Sequence, residues 1–339
     1  MRYRAVGNSP LRVSEIAFGT GDNGGGIIYG TPAQQSALVK RALELGVNVF
    51  DCSPDYGKGL GEANLGRVLR ELGARDAIVM TKVEIMPEEV AAGLIRHKVK
   101  QSVDDSLVRL QRDHVDVVML HNPVRNARDP RVRVWMRLSP EDVLNEVLPA
   151  LQNVRAAGKA RFLGLACEAS ETSAVRPLLA TREFTIINSW FNLANPTGAR
   201  SVKGISPAED YSGLFDAATE FGASVAVIRP LAGGALTEAI LDRGSDGRHA
   251  LSRGFYRENP DELLPEIERA QYFRFLAKRS DRTLSEAAYR YILSNDAVCT
   301  VIGGFSEVAH LEEATRASDA GPLEAADLAS IERVHATGF

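Results

Sequence analysis

Residues 47–69 read VNVFDCSPDYGKGLGEANLGRVL, and the organisation of the chain can be worked outward from them. Val47, Asn48, Val49 and Phe50 make a short, largely apolar strand that delivers Asp51 at its end. A tight turn through Pro54 and Gly57 carries Tyr56, and a helix opened by Glu62 follows, with Leu65, Val68 and Leu69 on one face. Parallel barrels and doubly wound sheets present chemistry in this way, on a polar loop between a strand and a helix. Lys82 closes the next apolar run and His121 the one after it, so three strand ends and one loop offer polar groups.

Strand-length apolar runs recur at 15–19, 47–51, 77–82, 115–121, 162–166, 186–190, 224–230 and 300–303. Most show little alternation, as expected of strands buried on both faces. Helical patterns separate nearly all of them: 33–45 stopping at Gly46, 88–110, 140–157 before Gly158, 171–180, 211–221 before Gly222, and 282–293. Another follows at 308–318, and the chain is expected to end in a helix over 323–335. Eight strand–helix units with no composition break, linker or repeat predict an α/β fold, a closed (β/α)8 TIM barrel forming one domain over 1–339. Residues 3–13 are expected to form a β-hairpin across the barrel bottom. The long connections 122–139, 191–210 and 232–262 follow the fourth, sixth and seventh strands, and so belong to the catalytic face, where substrate selection is built.

Hydrophobic content of 45% and charged content of 25% are ordinary for a soluble globular protein. A net charge of −4 argues against a nucleic-acid partner, which would need a basic field. The apolar runs are strand-sized, so no membrane span is expected, and residues 1–19 lack the apolar core of a secretory signal. Cys52, Cys167 and Cys299 are few, odd in number and widely spaced, which points to reduced, buried thiols in a cytoplasmic protein. No HExxH, CxxC or GxSxG motif occurs, so neither a metal centre nor a serine acyl-transfer site is expected.

Asp51-x4-Tyr56-Gly57-x-Gly59-x2-Glu62-x2-Leu65-Gly66, with Thr81-Lys82 and Leu120-His121 in order behind it, resembles the aldo-keto reductase superfamily over essentially the whole chain. The resemblance implies a barrel that binds NADP(H) or NAD(H) without a Rossmann domain, a small carbonyl or alcohol as substrate, and a tetrad of Asp51, Tyr56, Lys82 and His121. The chemistry asks for these side chains on its own terms. Hydride delivery to a carbonyl leaves charge on oxygen, so a proton donor must sit beside it. An ammonium at Lys82 is expected to lower the pKa of Tyr56, and Asp51 to keep that ammonium charged. His121 would donate to the same oxygen. The arginine-rich stretch 122–139 contains Trp135, which with Tyr56 and His121 is expected to touch the substrate, although a solvated or partner-facing loop is the blander reading.

By resemblance, the cofactor would be held by Gly19, Thr20, Asp51 and Asn188, and by the backbone of Arg229, Pro230, Leu231 and Gly233. The adenosine end would fall to Ile302, Gly303, Gly304, Phe305 and Ser306, then His310 and Glu313. Ala166 and Cys167 depart from the family's usual carboxamide grip, and Ile228 stands where an aromatic often stacks. Gly304 and His310 stand where cations usually hold the 2′-phosphate, so a preference for NADP(H) is expected to be weakened. Gly19-x-Gly21-x-x-Gly24 formally satisfies a dinucleotide fingerprint, but no helix is expected before Pro32, so 19–30 reads as a flexible first βα loop. Two rival readings are a lyase using Lys82 as a Schiff-base nucleophile and a cofactor-binding sensor without turnover. The composition leaves a homo-oligomer open.

Overall fold

The computed structural model describes residues 1–126, 137–253, 259–278 and 282–339. Among the described residues ten strands lie along the chain: β1 Tyr3–Ala5, β2 Arg12–Ser14, β3 Ile16–Gly19, β4 Val49–Asp51, β5 Ile78–Val83, β6 Val115–Leu120, β7 Ala160–Ala166, β8 Phe184–Trp190, β9 Ser224–Ile228 and β10 Val298–Gly304. β3 to β10 pair in chain order, all parallel, and β10 returns to β3 to close the barrel. This is the (β/α)8 barrel expected, and the strand bounds fall within two residues of the apolar runs that predicted them.

β1 and β2 form the antiparallel hairpin. Val6, Leu11 and Val13 are buried from it into the cluster that contains Val49, Met80, Val117 and Met119, the barrel interior. The Asn8 N–H donates to the Gly222 carbonyl at 2.9 Å and the Gly7 N–H to Ser224 Oγ at 2.7 Å, which seats the hairpin at the strands' N-terminal ends.

Strand parity decides what emerges at the opposite end. Residues two apart on a strand face the same side. Val49, Met80, Met119, Ile186 and Ala226 belong to the interior cluster. The same faces continue upward to Asp51, Lys82, His121, Asn188 and Ile228. The other face of each strand, including Phe18, Phe50, Val79 and Val118, packs in the layer between barrel and helices.

Two local expectations are corrected. The helix over 88–110 is two helices, Pro87–Ala91 and Ile95–Leu110, because Gly93 between them takes φ +67°. The first βα connection is neither helix-free nor loose: it contains the short helix Gly26–Tyr29, and Gly24 to Ile28 are buried. It is fastened to the segment after β10, with the Gly26 N–H on the Phe305 carbonyl at 3.1 Å and Ser306 Oγ on the Gly24 carbonyl at 2.5 Å. A Cβ on Gly24 would lie 2.5 Å from the backbone of Gly304 and Phe305, so only glycine admits this approach. In the arginine-rich connection, Arg125 is buried and donates to the Ala169 carbonyl at 2.9 Å. Arg128, Arg131, Arg133 and Trp135 lie outside the described residues.

All three cysteines are free and buried, and burial pushes the thiols of Cys167 and Cys299 up to about 12. Among the described residues no helix is long and apolar enough to cross a membrane.

His335, in the last helix Ala325–Thr337, packs against Phe273, Tyr291 and Phe339, with Nε2 2.8 Å from the Leu193 carbonyl. Burial pushes its imidazole down from 6.5 to about 4. Between those values the unfolded chain binds the proton and the folded one does not, so acidification across this window removes stability. Unfolding free energies measured from pH 6.5 to 4 should fall more steeply for the wild type than for His335→Phe, by up to about 1.4 kcal/mol per pH unit. Parallel curves would show that His335 does not titrate this way.

Candidate active site at the barrel mouth

Lys82 is buried at the end of β5, and its Nζ donates to both carboxylate oxygens of Asp51, each at 2.8 Å, and to the Cys52 carbonyl at 2.9 Å. Burial alone would discharge the ammonium, but the Asp51 carboxylate against it prevails and holds Lys82 above the ordinary lysine range. Asp51 is itself anchored, because the backbone N–H and the Oγ1 of Thr20 both donate to its carbonyl, at 2.9 and 3.1 Å.

Tyr56 enters from the turn after β4. Gly57, Lys58 and Gly59 take φ values of +57°, +54° and +89°, a run of left-handed residues that turns the chain sharply into the helix Leu60–Glu71. The Lys82 Nζ stands 4.8 Å from the centre of the Tyr56 ring. The expectation of a lowered phenol pKa is corrected: burial outweighs the attraction of Lys82 and raises Tyr56, so the resting phenol keeps its proton.

The His121 ring meets the Tyr56 ring edge-on at 6.1 Å, with Nδ1 3.5 Å from Ser53 Oγ and 4.0 Å from Glu84 Oε1. Burial, reinforced by the Lys82 charge, pushes His121 down to about 3, so the ring is a neutral hydrogen-bonding group. Asn188 is buried near the end of β8, and its Oδ1 has no hydrogen-bond partner among the described residues. A buried acceptor left unpaired is a place for an incoming donor.

Glu62, which the sequence presents as a helix opener and as a member of the family motif, is a strut. It is fully buried and accepts from Thr81 Oγ1 at 2.5 Å and Arg109 Nε at 2.6 Å, tying the helix behind Tyr56 to the strand that carries Lys82.

A cleft of about 1470 Å³ opens above these groups and runs from Tyr56 and His121 past Trp190 and Arg229 to Gly304 and His310. Arg229 takes φ +55°, lays its guanidinium 3.9 Å over the Trp190 ring and donates from Nη2 to both oxygens of Glu266, at 2.6 and 2.5 Å. Beyond it, Gly233 and Gly234 have φ +65° and +102° in the turn that follows β9. Ile302 and Gly303 end β10 with Gly303 closed against the Phe305 ring, and the Ser306 hydroxyl is taken by Gly24. Glu313 accepts from Thr283 Oγ1 at 2.5 Å. The His310 Nε2 is 3.4 Å and the His249 Nε2 3.7 Å from Glu307, with the two rings 5.8 Å apart. Burial pushes His310 down, Glu307 opposing, so this end carries little fixed positive charge from that ring.

Trp190, Glu168 and His249 line the same cleft and were not singled out from sequence. Trp190 closes a predicted strand, which was a usable signal. Glu168 and His249 sit in connections without periodicity, and only the fold brings them in.

A closed parallel barrel whose mouth holds a buried aspartate–lysine pair, a tyrosine and a neutral histidine defines a class, and the chain belongs to the Aldo/keto reductase family, whose profile it matches over residues 15–336. It is similar to the L-galactose dehydrogenase of Arabidopsis thaliana, 35% identical over 169 residues, a match spanning 49% of this chain and 48% of that protein. It is also similar to the L-glyceraldehyde 3-phosphate reductase of Escherichia coli K12, 27% identical over 351 residues, with 100% of this chain and 93% of that protein covered. Among solved structures, an aldo-keto reductase from Bacillus halodurans in its holo form superposes with a TM-score of 0.71 at 26% identity, covering 98% of this chain and 96% of that one.

Removing one member of a buried ion pair leaves the other uncompensated. Asp51→Asn should therefore lower the unfolding free energy by about 3–5 kcal/mol, and the double variant Asp51→Leu, Lys82→Met by distinctly less. Denaturant titrations of the two variants check this, and equal losses would show that the pair is not energetically coupled.

Proposed function

We propose that this oxidoreductase interconverts an aldehyde, ketone or sugar carbonyl and the corresponding alcohol with NAD(H) or NADP(H), Tyr56 exchanging the proton at the substrate oxygen. The observation that carries the reading is the Lys82 ammonium, locked by Asp51 and facing the Tyr56 ring. When bound, the nicotinamide supplies or takes up the hydride. As charge develops on the substrate oxygen, the neutral phenol of Tyr56 gives it a proton. The resulting phenolate is stabilised by the adjacent ammonium, which Asp51 keeps charged and in place. His121 donates a hydrogen bond to the same oxygen, and because it is pushed down to about 3 it does not compete for the proton. In the oxidative direction the roles reverse, and Tyr56 must first lose its proton.

The residues present fit a nicotinamide cofactor. The Asn188 Oδ1, without a partner among the described residues, suits the carboxamide amine, and the turn after β9 offers the backbone N–H groups of Leu231 and Gly233 for phosphate oxygens, that of Gly234 being taken by the Leu231 carbonyl. Lys82 does not suit a Schiff base: it makes three hydrogen bonds and is held charged, so it has no free electron pair with which to attack. That favours the oxidoreductase over the lyase.

Tyr56→Phe should reduce kcat by about 10²–10⁴ while nucleotide affinity, read by fluorescence quenching, is retained. Alcohol oxidation by the wild type should climb with pH, since deprotonation of the raised phenol is required, and no inflection from His121 should appear near neutrality. A Tyr56→Phe variant retaining more than about a tenth of wild-type kcat would overturn the assignment.

With Gly304 and His310 in place of cations, NADH should be accepted. The kcat/KM ratio for NADPH over NADH is expected to stay below about 100, equivalent to about 2.7 kcal/mol, when steady-state rates are compared for one substrate. A larger ratio would mean that other groups hold the 2′-phosphate.

A further inference from the structure

Two residues beyond the end of β7 stands a carboxylate that the proposed reaction does not use. The turn that carries Glu168 is fastened on every side. The Ser170 N–H donates to the Cys167 carbonyl at 3.1 Å, the Ala169 N–H to Tyr211 Oη at 3.1 Å, and Arg125 Nη1 to the Ala169 carbonyl at 2.9 Å. Ser170 Oγ accepts from the Val124 N–H at 2.9 Å, and the Glu171 N–H donates to the Val124 carbonyl at 2.9 Å. Ala169 is held at φ +53°, a left-handed conformation that L residues adopt when their surroundings impose it. The side chain this turn presents is Glu168, exposed within the cleft that Tyr56, Trp190 and Tyr211 also line. Its charge reaches the reacting centre, since it is one of the groups that push the Tyr56 phenol upward.

Among the described residues, the cations near Glu168 are already matched. Lys82 is neutralised by Asp51, and Arg229 is paired with Glu266. His121 and Tyr56 are neutral, and although burial pushes the Glu168 carboxyl up, the Arg229 guanidinium opposes that, so among the described residues an ionised Glu168 adds negative charge to this part of the cleft. An ionised carboxylate only accepts hydrogen bonds, and it accepts them strongly from hydroxyls.

Building on the carbonyl–alcohol reading above, we propose that Glu168 determines substrate class. Its carboxylate binds hydroxyl groups of a neutral polyhydroxylated substrate, an aldose or polyol, and disfavours substrates bearing phosphate. Glyceraldehyde is thereby preferred to glyceraldehyde 3-phosphate.

The test compares wild type, Glu168→Gln and Glu168→Asp in the presence of nucleotide. Calorimetry reads the binding of galactose, and kinetics read galactose, butanal, glyceraldehyde and its 3-phosphate. Glu168→Gln should weaken galactose by about tenfold or more relative to its effect on butanal, and should narrow the gap between glyceraldehyde and the phosphate. Glu168→Asp, which keeps the charge on a shorter arm, should retain the discrimination against phosphate while still losing galactose affinity. Equal effects on galactose and butanal, or an unchanged phosphate gap, would overturn the proposal and leave the carbonyl–alcohol reaction standing. Galactose binding that depends on Glu168 in a protein that turns over none of these compounds would support the site and overturn the reaction.

Discussion

An ammonium with 1% of its side chain exposed must be compensated where it stands, and Asp51, itself 2% exposed, does so. Adjacent strands make the pairing available: in the β4–β5 ladder Asp51 lies opposite Met80, and Lys82 follows two residues later on the same face. Thr20 holds the Asp51 carbonyl from the end of β3, so one ion pair couples three neighbouring strand ends. The pair also restricts the chemistry. Lys82 has all its hydrogen-bonding directions filled and stays with its counter-ion, so on the proposed reading it acts through its charge, which falls on the Tyr56 ring 4.8 Å away.

Burial makes this arrangement one-sided at rest. The walls that exclude water from the cleft disfavour phenolate more than Lys82 favours it, and the phenol stays protonated. On the proposed reading, that suits an acid that must release its proton only when the substrate oxygen becomes basic. The neighbouring imidazole is driven the other way by the same burial, to the neutral form. Two neighbouring titratable groups are thus kept uncharged by desolvation beside the locked pair, with Glu84 4.0 Å from His121 and Glu168 acting on Tyr56.

The parts of this site legible in the sequence are those that barrel periodicity dictates. Strand-end residues such as Asp51, Lys82 and His121 follow from apolar runs that stop at a polar residue, because every buried strand must end at a mouth, whereas Asn188 within the run 186–190 was reached only through the family resemblance. Tyr56 was legible through its glycines, which demand a left-handed turn. What stayed hidden depends on contacts between segments far apart in the chain. Gly24 and Ser306, 282 positions apart, fasten two loops together, and no local pattern distinguishes that from a mobile glycine-rich loop. Glu62 looked like a helix-opening acid because its partners, Thr81 and Arg109, come from other elements. The pKa of Tyr56 was misjudged for the same reason: the ammonium could be inferred from the sequence, whereas the desolvating walls are made by the fold.

The division between strand-borne and loop-borne groups has a consequence for how such a barrel changes its substrate. Asp51 and Lys82 sit inside the closed ladder, where a shift of one would strain its neighbours in the interior cluster. Glu168, by contrast, hangs on a turn whose bonds run to Arg125, Val124 and Tyr211, outside the ladder, and His249 comes from the connection after β9. These groups can be exchanged without disturbing the ion pair, so on the proposed reading the charge of the substrate end and that of the nucleotide end can be set independently of the proton-transfer machinery. A family whose relatives include a dehydrogenase of a neutral sugar and a reductase of a phosphorylated aldehyde is what that physical separation permits.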